Sequence, residues 1–319
     1  MKQLILSLLL CCLSFSLEAR VPDIPDYRDE NGYIYKHFRD EVSGHMLPGH
    51  DGEVLFWGVD TRMPDAEAKW AKVTKIVVPT TMIAKTDDGT VVKKKVTAVD
   101  GHAFNHLPNL TTIVIPEGIT YVNPFALGGT NAKIVSIPAS WTSHIYEFHG
   151  YKCKWEQINV AKNHPTRSSI DGVMYDKAQT KLIVYPRCYK GVLKLPATLK
   201  TIGEKAFEDA ENVGKIVLPN GVEVLETSAF YQSDIEEITL PSTLRRMGKN
   251  TLNYCKQLRV IRSKSTVPPV AEVDEDNIRL DMELWGLKLD SLTVYIPKGS
   301  LDKYKEALWW RKIKNYVEE

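Results

Sequence analysis

A cysteine and several histidines that could form a nucleophilic pair lie close together in the chain: His144, His149, Cys153 and His164. A thiol hydrolase needs a base that accepts the proton of the thiol and a group that orients the base. The spacing of these residues matches no catalytic signature. We expect an irregular insertion with scattered polar side chains, and an enzyme that uses the insertion around Cys153 stays as the alternative.

The remaining chemical motifs are weaker. The acidic run 274–276 could bind calcium, but it lacks the spaced oxygen ligands and the glycine of a calcium loop, so we expect a solvated loop. Asp87 and Asp88 precede Gly89, which is typical of a hairpin turn rather than a metal site. The sequence contains no glycine-rich phosphate loop and no His-Glu-x-x-His pair. We therefore predict no catalytic residue, no metal site and no cofactor.

Charge and cysteine content limit the partners and the stabilising bonds. The 319 residues include 41 Lys and Arg against 40 Asp and Glu, so no overall field favours nucleic acid. Cys153, Cys188 and Cys255 are too few and too scattered for a disulfide scaffold. Cys255 is interpreted as a core residue, and a bridge between Cys153 and Cys188 remains open.

The first residues have the pattern of a secretory signal peptide. Lys2 precedes the apolar run 4–13, and small residues follow it, so we assign residues 1–19 to the signal. The mature chain is expected to start near Arg20, with no transmembrane segment, in the secreted or cell-surface fraction. Cys11 or Cys12 could instead carry a lipid anchor, although leucines stand where small residues are expected.

A repeat of about 22 residues organises the rest of the chain. Strand-like phrases end in proline, which cannot donate to a sheet ladder and so marks the strand end. The phrases are 113–116, 135–138, 193–196, 216–219, 238–241 and 294–297.

A second landmark recurs with the same spacing. Small residues precede large ones at Ala103-Phe104, Ala126-Leu127, Ala206-Phe207, Ala229-Phe230 and Thr251-Leu252. One unit alone cannot enclose a core, so the coils must stack and share their apolar interior. The sequence therefore predicts a solenoid.

The phrase 199–207, followed by 216–219, resembles the BspA-type leucine-rich repeat of bacterial surface and secreted proteins. Two further segments resemble the same repeat: the phrase 169–175, which leads into 182–186, and the tail phrase 295–301. The resemblance implies an α/β leucine-rich-repeat solenoid, rich in strands, with short helical turns and a C-terminal capping helix. It also implies a non-catalytic protein for adhesion or protein recognition.

The predicted organisation has four parts: a signal peptide (1–19), an N-terminal linker and cap (20–72), a solenoid (73–298) with an irregular insertion near 139–169, and a C-terminal cap helix (299–319). The repeat is expected to be lost in the insertion, and Lys264 replaces a strand-ending proline. Ser300 is the expected N-cap of the last helix. Trp309 and Trp310 are expected to seal the end of the core.

Binding needs only a rigid extended face, and the outward strand positions form the candidate binding site. These positions are Val77, Val114, Ser136, Lys194, Val217, Thr239 and Tyr295. The expected partner is a protein of a host or neighbouring cell surface or matrix. A glycan or envelope component is the alternative ligand, and a structural spacer without ligand is a further possibility. If the face is outward, glutamate at Val217 and Thr239 should leave the fold intact.

Overall fold

The computed structural model describes residues 26–37, 52–86, 88–142, 153–272 and 284–319. Several predictions fall outside these residues: the signal peptide with Cys11 and Cys12, Asp87, His144, His149 and the acidic run 274–276. Among the described residues, no helix is both long enough and apolar enough to cross a membrane.

Short strands dominate the chain, and most of them lie in pairs on the two sides of a coil. The first ten are β1 (Tyr27–Arg28), β2 (Tyr33–Lys36), β3 (Glu53–Val59), β4 (Lys75–Val77), β5 (Thr81–Lys85), β6 (Val91–Val99), β7 (Thr112–Val114), β8 (Tyr121–Val122), β9 (Ile134–Ile137) and β10 (Gln157–Val160). Helix α1 (Ala66–Trp70) and a 3-10 turn (Pro124–Ala126) connect them.

The second half continues in the same way. Its strands are β11 (Arg167–Ile170), β12 (Val173–Asp176), β13 (Lys181–Val184), β14 (Thr201–Ile202), β15 (Gly214–Val217), β16 (Val224–Leu225), β17 (Ile235–Leu240), β18 (Arg246–Met247), β19 (Val260–Ser263), β20 (Val270–Ala271), β21 (Thr293–Ile296) and β22 (Asn315–Glu318). Helix α2 (Leu301–Glu306) and a 3-10 turn (Trp310–Lys312) lie near the end.

The N-terminal sheet, with strand order β1-β2-β3-β6-β5, caps the first coil. A bridge between Asp29 and Ala84 brings β5 back towards β1, so the sheet curls around Tyr35, Phe56 and Met82, which are fully buried. The predicted hairpin is confirmed, because β5 and β6 pair antiparallel across the turn that contains Asp88. Strand β6 then pairs parallel with β8, which joins the cap to the solenoid.

The front sheet consists of the parallel strands β4, β7, β9 and β10, in that order. Strand β10 pairs with β9 in the register of Gln157 opposite Ile134. The prediction that the repeat is lost over 139–169 is therefore wrong for residues 157–160. The strand persists because Ile158, which is buried, still fills the interior position of the coil.

Two further sheets run through the second half. One begins with the hairpin β11-β12, turning at Asp171 and Gly172 with positive φ, and continues through β13, β14, β16, β18 and β20. The other contains the parallel strands β15, β17, β19, β21 and β22, which occupy the same position of the repeat as the strands of the front sheet; we call it the rear sheet because it lies later in the chain. The coil with Lys264 in place of proline keeps its strand, since β19 pairs on both sides.

The small-then-large pairs fill the interior as predicted, and all ten residues are buried. Aromatic rings stack from coil to coil: Phe207 lies 4.6 Å from Tyr185 on one side and 4.6 Å from Phe230 on the other, measured between ring centroids. Each coil thus supplies one wall of the cavity that holds its neighbour's ring.

The turns that carry these pairs form a hydrogen-bond ladder. The amides of Lys205, Phe207 and Asp209 donate to carbonyls of the next coil at 2.8–3.1 Å, and Ser228, Phe230 and Gln232 repeat the pattern one coil later. The first and last residue of each trio has positive φ although it is not glycine. Such a conformation costs about 1–2 kcal/mol per residue, so the ladder between coils must offset it.

The C-terminal end is closed by buried aromatic side chains, as predicted. Tyr304 of α2 and Trp310 are fully buried, and Trp309 is nearly so. The predicted cap helix is shorter than 299–319, because the chain leaves it and adds β22 to the rear sheet. Ser300 does not cap the helix with its side chain; the carboxylate of Glu318 accepts from the amides of Ser300 and Leu301.

Replacing Phe207 by alanine should lower the free energy of unfolding by about 3–5 kcal/mol, because the ring is fully buried between two others. Urea denaturation followed by circular dichroism measures the change. Phe125→Ala is the control, since its ring is 69% exposed and its loss should change stability by less than about 0.5 kcal/mol. Equal effects of the two changes would contradict the stacking account.

Candidate functional site

Of the thiol and the three imidazoles that an enzyme could use, the structure describes Cys153 and His164, and these two bond to different backbone groups. The Cys153 thiol is buried and donates a weak bond to the carbonyl of Leu127 at 3.7 Å. The His164 ring is bonded to the carbonyl of Trp141 at 3.0 Å through Nε2, while its Nδ1 accepts from the amide of Arg167. Both ring nitrogens are thus used by the backbone, which makes His164 a structural residue.

The ionisation of these groups also works against nucleophilic chemistry. Burial raises the pKa of the Cys153 thiol to about 12, and burial lowers the pKa of His164. Cys153, Cys188 and Cys255 are all free thiols, so the structure has no bridge between Cys153 and Cys188. Within the described ranges, no cluster of His, Cys, Asp and Glu side chains could hold a metal ion.

Three of the predicted binding residues form a row on the front sheet. Val77, Val114 and Ser136 are in register across β4, β7 and β9, and Asn159 of β10 continues the row. Val77 is half exposed, and Val114 and Ser136 are partly exposed. The structure therefore places these three side chains together on one outward face.

In the corresponding row of the rear sheet, Val217 is open and the residues after it make contacts within the protein. Val217, Thr239, Arg262 and Tyr295 are in register, and Val217 is 62% exposed. The Arg262 guanidinium lies 4.0 Å from the Tyr295 ring centroid and 2.8 Å from a Glu237 oxygen. Thr239, which is in register with Arg262, is only 8% exposed.

The low exposure of Thr239 argues against the expectation that it tolerates glutamate. A carboxylate there would enter a covered position next to Glu237, whose pKa the bonds to Arg262 and Lys215 already hold below its usual range. Val217 remains open to substitution.

Lys194 does not lie in a strand, although the phrase 193–196 predicts one. The preceding segment is held elsewhere: the amide of Cys188 donates to the carbonyl of Trp155, and the Lys190 ammonium lies 2.7 Å from a Glu156 oxygen. These contacts draw the chain to the start of β10 and leave residues 191–195 in an irregular, partly exposed path.

This irregular segment forms one wall of an open cleft of about 710 Å³. The floor is an outward row of the front sheet, Thr112, Ile134 and Gln157, which are in register across three strands. The wall is the segment 189–194, and Val192 at its rim is 78% exposed. The cleft therefore extends the predicted face of the front sheet.

Ion pairs fix the geometry of the cleft. Glu156 lies between the ammonium groups of Lys190, at 2.7 Å, and Lys133, at 3.4 Å, and its pKa is lowered chiefly by the bond to Lys190. Lys194 lines the same cleft and has no ion pair among the described residues. The bridge from Lys190 to Glu156 ties the wall to the floor.

An aromatic row on another turn was not predicted. The ring centroids of Tyr231 and Tyr254 lie 5.3 Å apart, and Trp285 follows at 6.1 Å with half of its surface exposed. Burial and the neighbouring Tyr254, Glu208 and Asp209 raise the pKa of Tyr231. The spacing of Tyr231 and Tyr254 by one repeat was the available signal in the sequence.

Alkylation tests whether any thiol is activated. At pH 8 iodoacetamide should modify Cys188 slowly and leave Cys153 and Cys255 unmodified, because burial keeps their thiols protonated. Peptide mass spectrometry of the folded protein measures the labelling, and protein unfolded in guanidinium is the control in which all thiols react. Rapid labelling of Cys153 in the folded protein would restore the enzyme alternative.

Comparison with known proteins gives one family and several structural neighbours. The model of the BspA-type leucine-rich-repeat region matches six copies over residues 89–176 and 184–272, which is more than half of the chain. No curated protein matches.

Several solved structures are similar to this chain at low sequence identity. A leucine-rich-repeat protein from Eubacterium ventriosum is 19% identical, with a TM-score of 0.45, covering 79% of this chain and 76% of its own. The pneumococcal vaccine antigen PcpA is 15% identical (TM-score 0.36; 93% and 100% covered), as is a Bacteroides ovatus repeat protein (0.40; 85% and 71%). By the extent of its match to the repeat model, this chain belongs to the BspA-type leucine-rich-repeat family.

Proposed function

We propose that this chain is an exported, non-catalytic binding protein that recognises another protein through the front sheet and its cleft. We call this region the front surface and define it by Val77, Val114 and Ser136, the wall 189–194 and the cleft floor, which consists of Thr112, Ile134 and Gln157. The observation that carries the proposal is the open cleft, whose floor continues the outward face of the sheet.

The mixed character of the front surface supports a protein partner. Apolar Val77 and Val192 are at least half exposed, and the cleft offers threonine, glutamine and lysine side chains. Protein interfaces combine apolar contacts with a polar rim in this way. A spacer without ligand would have no need for a cleft that interrupts an otherwise regular stack.

Export is part of the proposal and rests on the first residues of the sequence. Residues 1–19 have the charged start, the apolar run and the small residues of a signal peptide. Adhesion to a host or neighbouring-cell protein is the role that best combines export with an extended binding face.

The double change Val77→Glu and Val192→Glu should weaken binding by about tenfold or more, because each places a charge in the apolar part of the contact. Surface plasmon resonance of the protein on a panel of immobilised extracellular-matrix proteins measures the loss. Both side chains are exposed, so the variant should keep its unfolding midpoint.

Val217→Glu is the matched control, since this valine is 62% exposed on the rear sheet. It should bind as the unmodified protein does. If Val217→Glu removes binding and the double change does not, the rear sheet is the contact face and the front surface is not.

A glycan ligand is the second candidate, favoured by the aromatic row at Tyr231, Tyr254 and Trp285. Exposed rings stack on the apolar faces of sugars, and the nearby Glu208 and Asp209 carboxylates can accept bonds from hydroxyl groups.

Trp285→Ala should lower retention on a glycan array by about tenfold if the aromatic row binds sugars, because it removes the most exposed ring of the row. Phe125→Ala removes an exposed ring elsewhere and serves as the control. Unchanged retention in the Trp285 variant would exclude this row as a glycan site.

A further inference from the structure

The N-terminal hairpin has one face that combines lysines with exposed apolar residues. Cross-strand partners on this face are Thr81 with Lys95, Ile83 with Lys93, and Lys85 with Val91. All six side chains are exposed, Ile83 at 54% and Val91 at 59%. We call these six residues the hairpin face.

Three of the six residues on the hairpin face are lysines. Lys85, Lys93 and Lys95 form no ion pair within the described part of the chain, although the whole protein carries a net charge of only +1. Successive outward residues of a strand are about 7 Å apart, so three ammonium groups share a small area. This arrangement concentrates positive charge on one exposed patch, which attracts an anionic partner.

Two acidic groups described beside this face, Glu53 and Asp88, are already hydrogen-bonded. Glu53 lines a shallow hollow of about 540 Å³ together with Thr81 and residues 93–95, and its carboxylate accepts from the Thr97 hydroxyl. At the tip of the hairpin, the Asp88 carboxylate accepts from the amide of Thr90 within the turn. Neither carboxylate pairs with Lys85, Lys93 or Lys95.

We propose that the hairpin face docks on the surface of a bilayer that contains anionic lipids. The lysines would meet the headgroup charges, and Ile83 and Val91 would enter the boundary between headgroups and acyl chains. The two apolar side chains decide between a bilayer and a soluble polyanion, because a polyanion has no apolar layer to receive them. This site is separate from the front surface and does not depend on the proposed function.

Vesicle co-sedimentation of the full chain tests the proposal. The protein should bind vesicles of phosphatidylglycerol and phosphatidylcholine, should not bind pure phosphatidylcholine, and should dissociate as salt is raised. The triple change of Lys85, Lys93 and Lys95 to glutamine should weaken binding by about 100-fold, at about fivefold per lysine. Ile83→Ser with Val91→Ser should weaken it by about tenfold at unchanged charge.

Matched controls lie elsewhere on the molecule. Changing Lys298, Lys303 and Lys305 to glutamine removes the same charge from exposed positions near α2, and Val267→Ser with Val270→Ser removes exposed valines. Both control variants should bind anionic vesicles as the unmodified protein does. If a hairpin-face variant fails to fold, the unmodified protein is acetylated with and without vesicles instead. Mass spectrometry then measures how far bound vesicles protect the lysines at the same positions.

Three results would overturn the proposal. One is failure of the unmodified protein to bind the anionic vesicles, and another is equal loss of binding, or equal protection of lysines, at the control positions. The third is that the variant of Ile83 and Val91 binds vesicles as the unmodified protein does, while binding to dextran sulfate depends on the lysines. That pair of results would show that the hairpin face binds a soluble polyanion.

Discussion

Contact between successive coils is the interaction on which this structure depends. A single coil holds strands of only two to six residues, too short to be stable alone, and its turns contain non-glycine residues with positive φ. Those conformations persist because the amides of one turn donate to the carbonyls of the next while rings such as Phe207 and Phe230 stack beside them. The coils therefore stabilise one another, and the rigidity of the outward faces follows from that stacking.

The solenoid was predictable because the same pattern occurs several times in the chain. The proline-terminated strands and the small-then-large pairs each give several independent signals of one geometry. Single departures were not predictable in the same way. The phrase around Lys194 has the residues of a strand, yet the contacts of Cys188 with Trp155 and of Lys190 with Glu156 draw it away. No local propensity encodes a contact between residues more than 30 positions apart.

The same limit applies to the binding face. The alternation of side chains correctly aligned Val77, Val114 and Ser136, because register follows from the strands alone. It could not show that Arg262 lies over Tyr295 and beside Thr239, since that depends on the long side chain of a neighbouring coil. The cap by Glu318 was missed for a similar reason: the carboxylate comes from a strand that follows the helix it caps.

The hydrogen-bond ladder of the turns has a direction, since every amide in it points towards the next coil and every carbonyl back to the previous one. Loss or gain of one complete repeat leaves donors facing acceptors and positive-φ residues facing positive-φ residues. Removal of a fraction of a repeat would break both matches at once. Natural variation in the length of such a chain should therefore proceed in whole repeats, with the irregular wall at 189–194 as a place where the stack admits a different path.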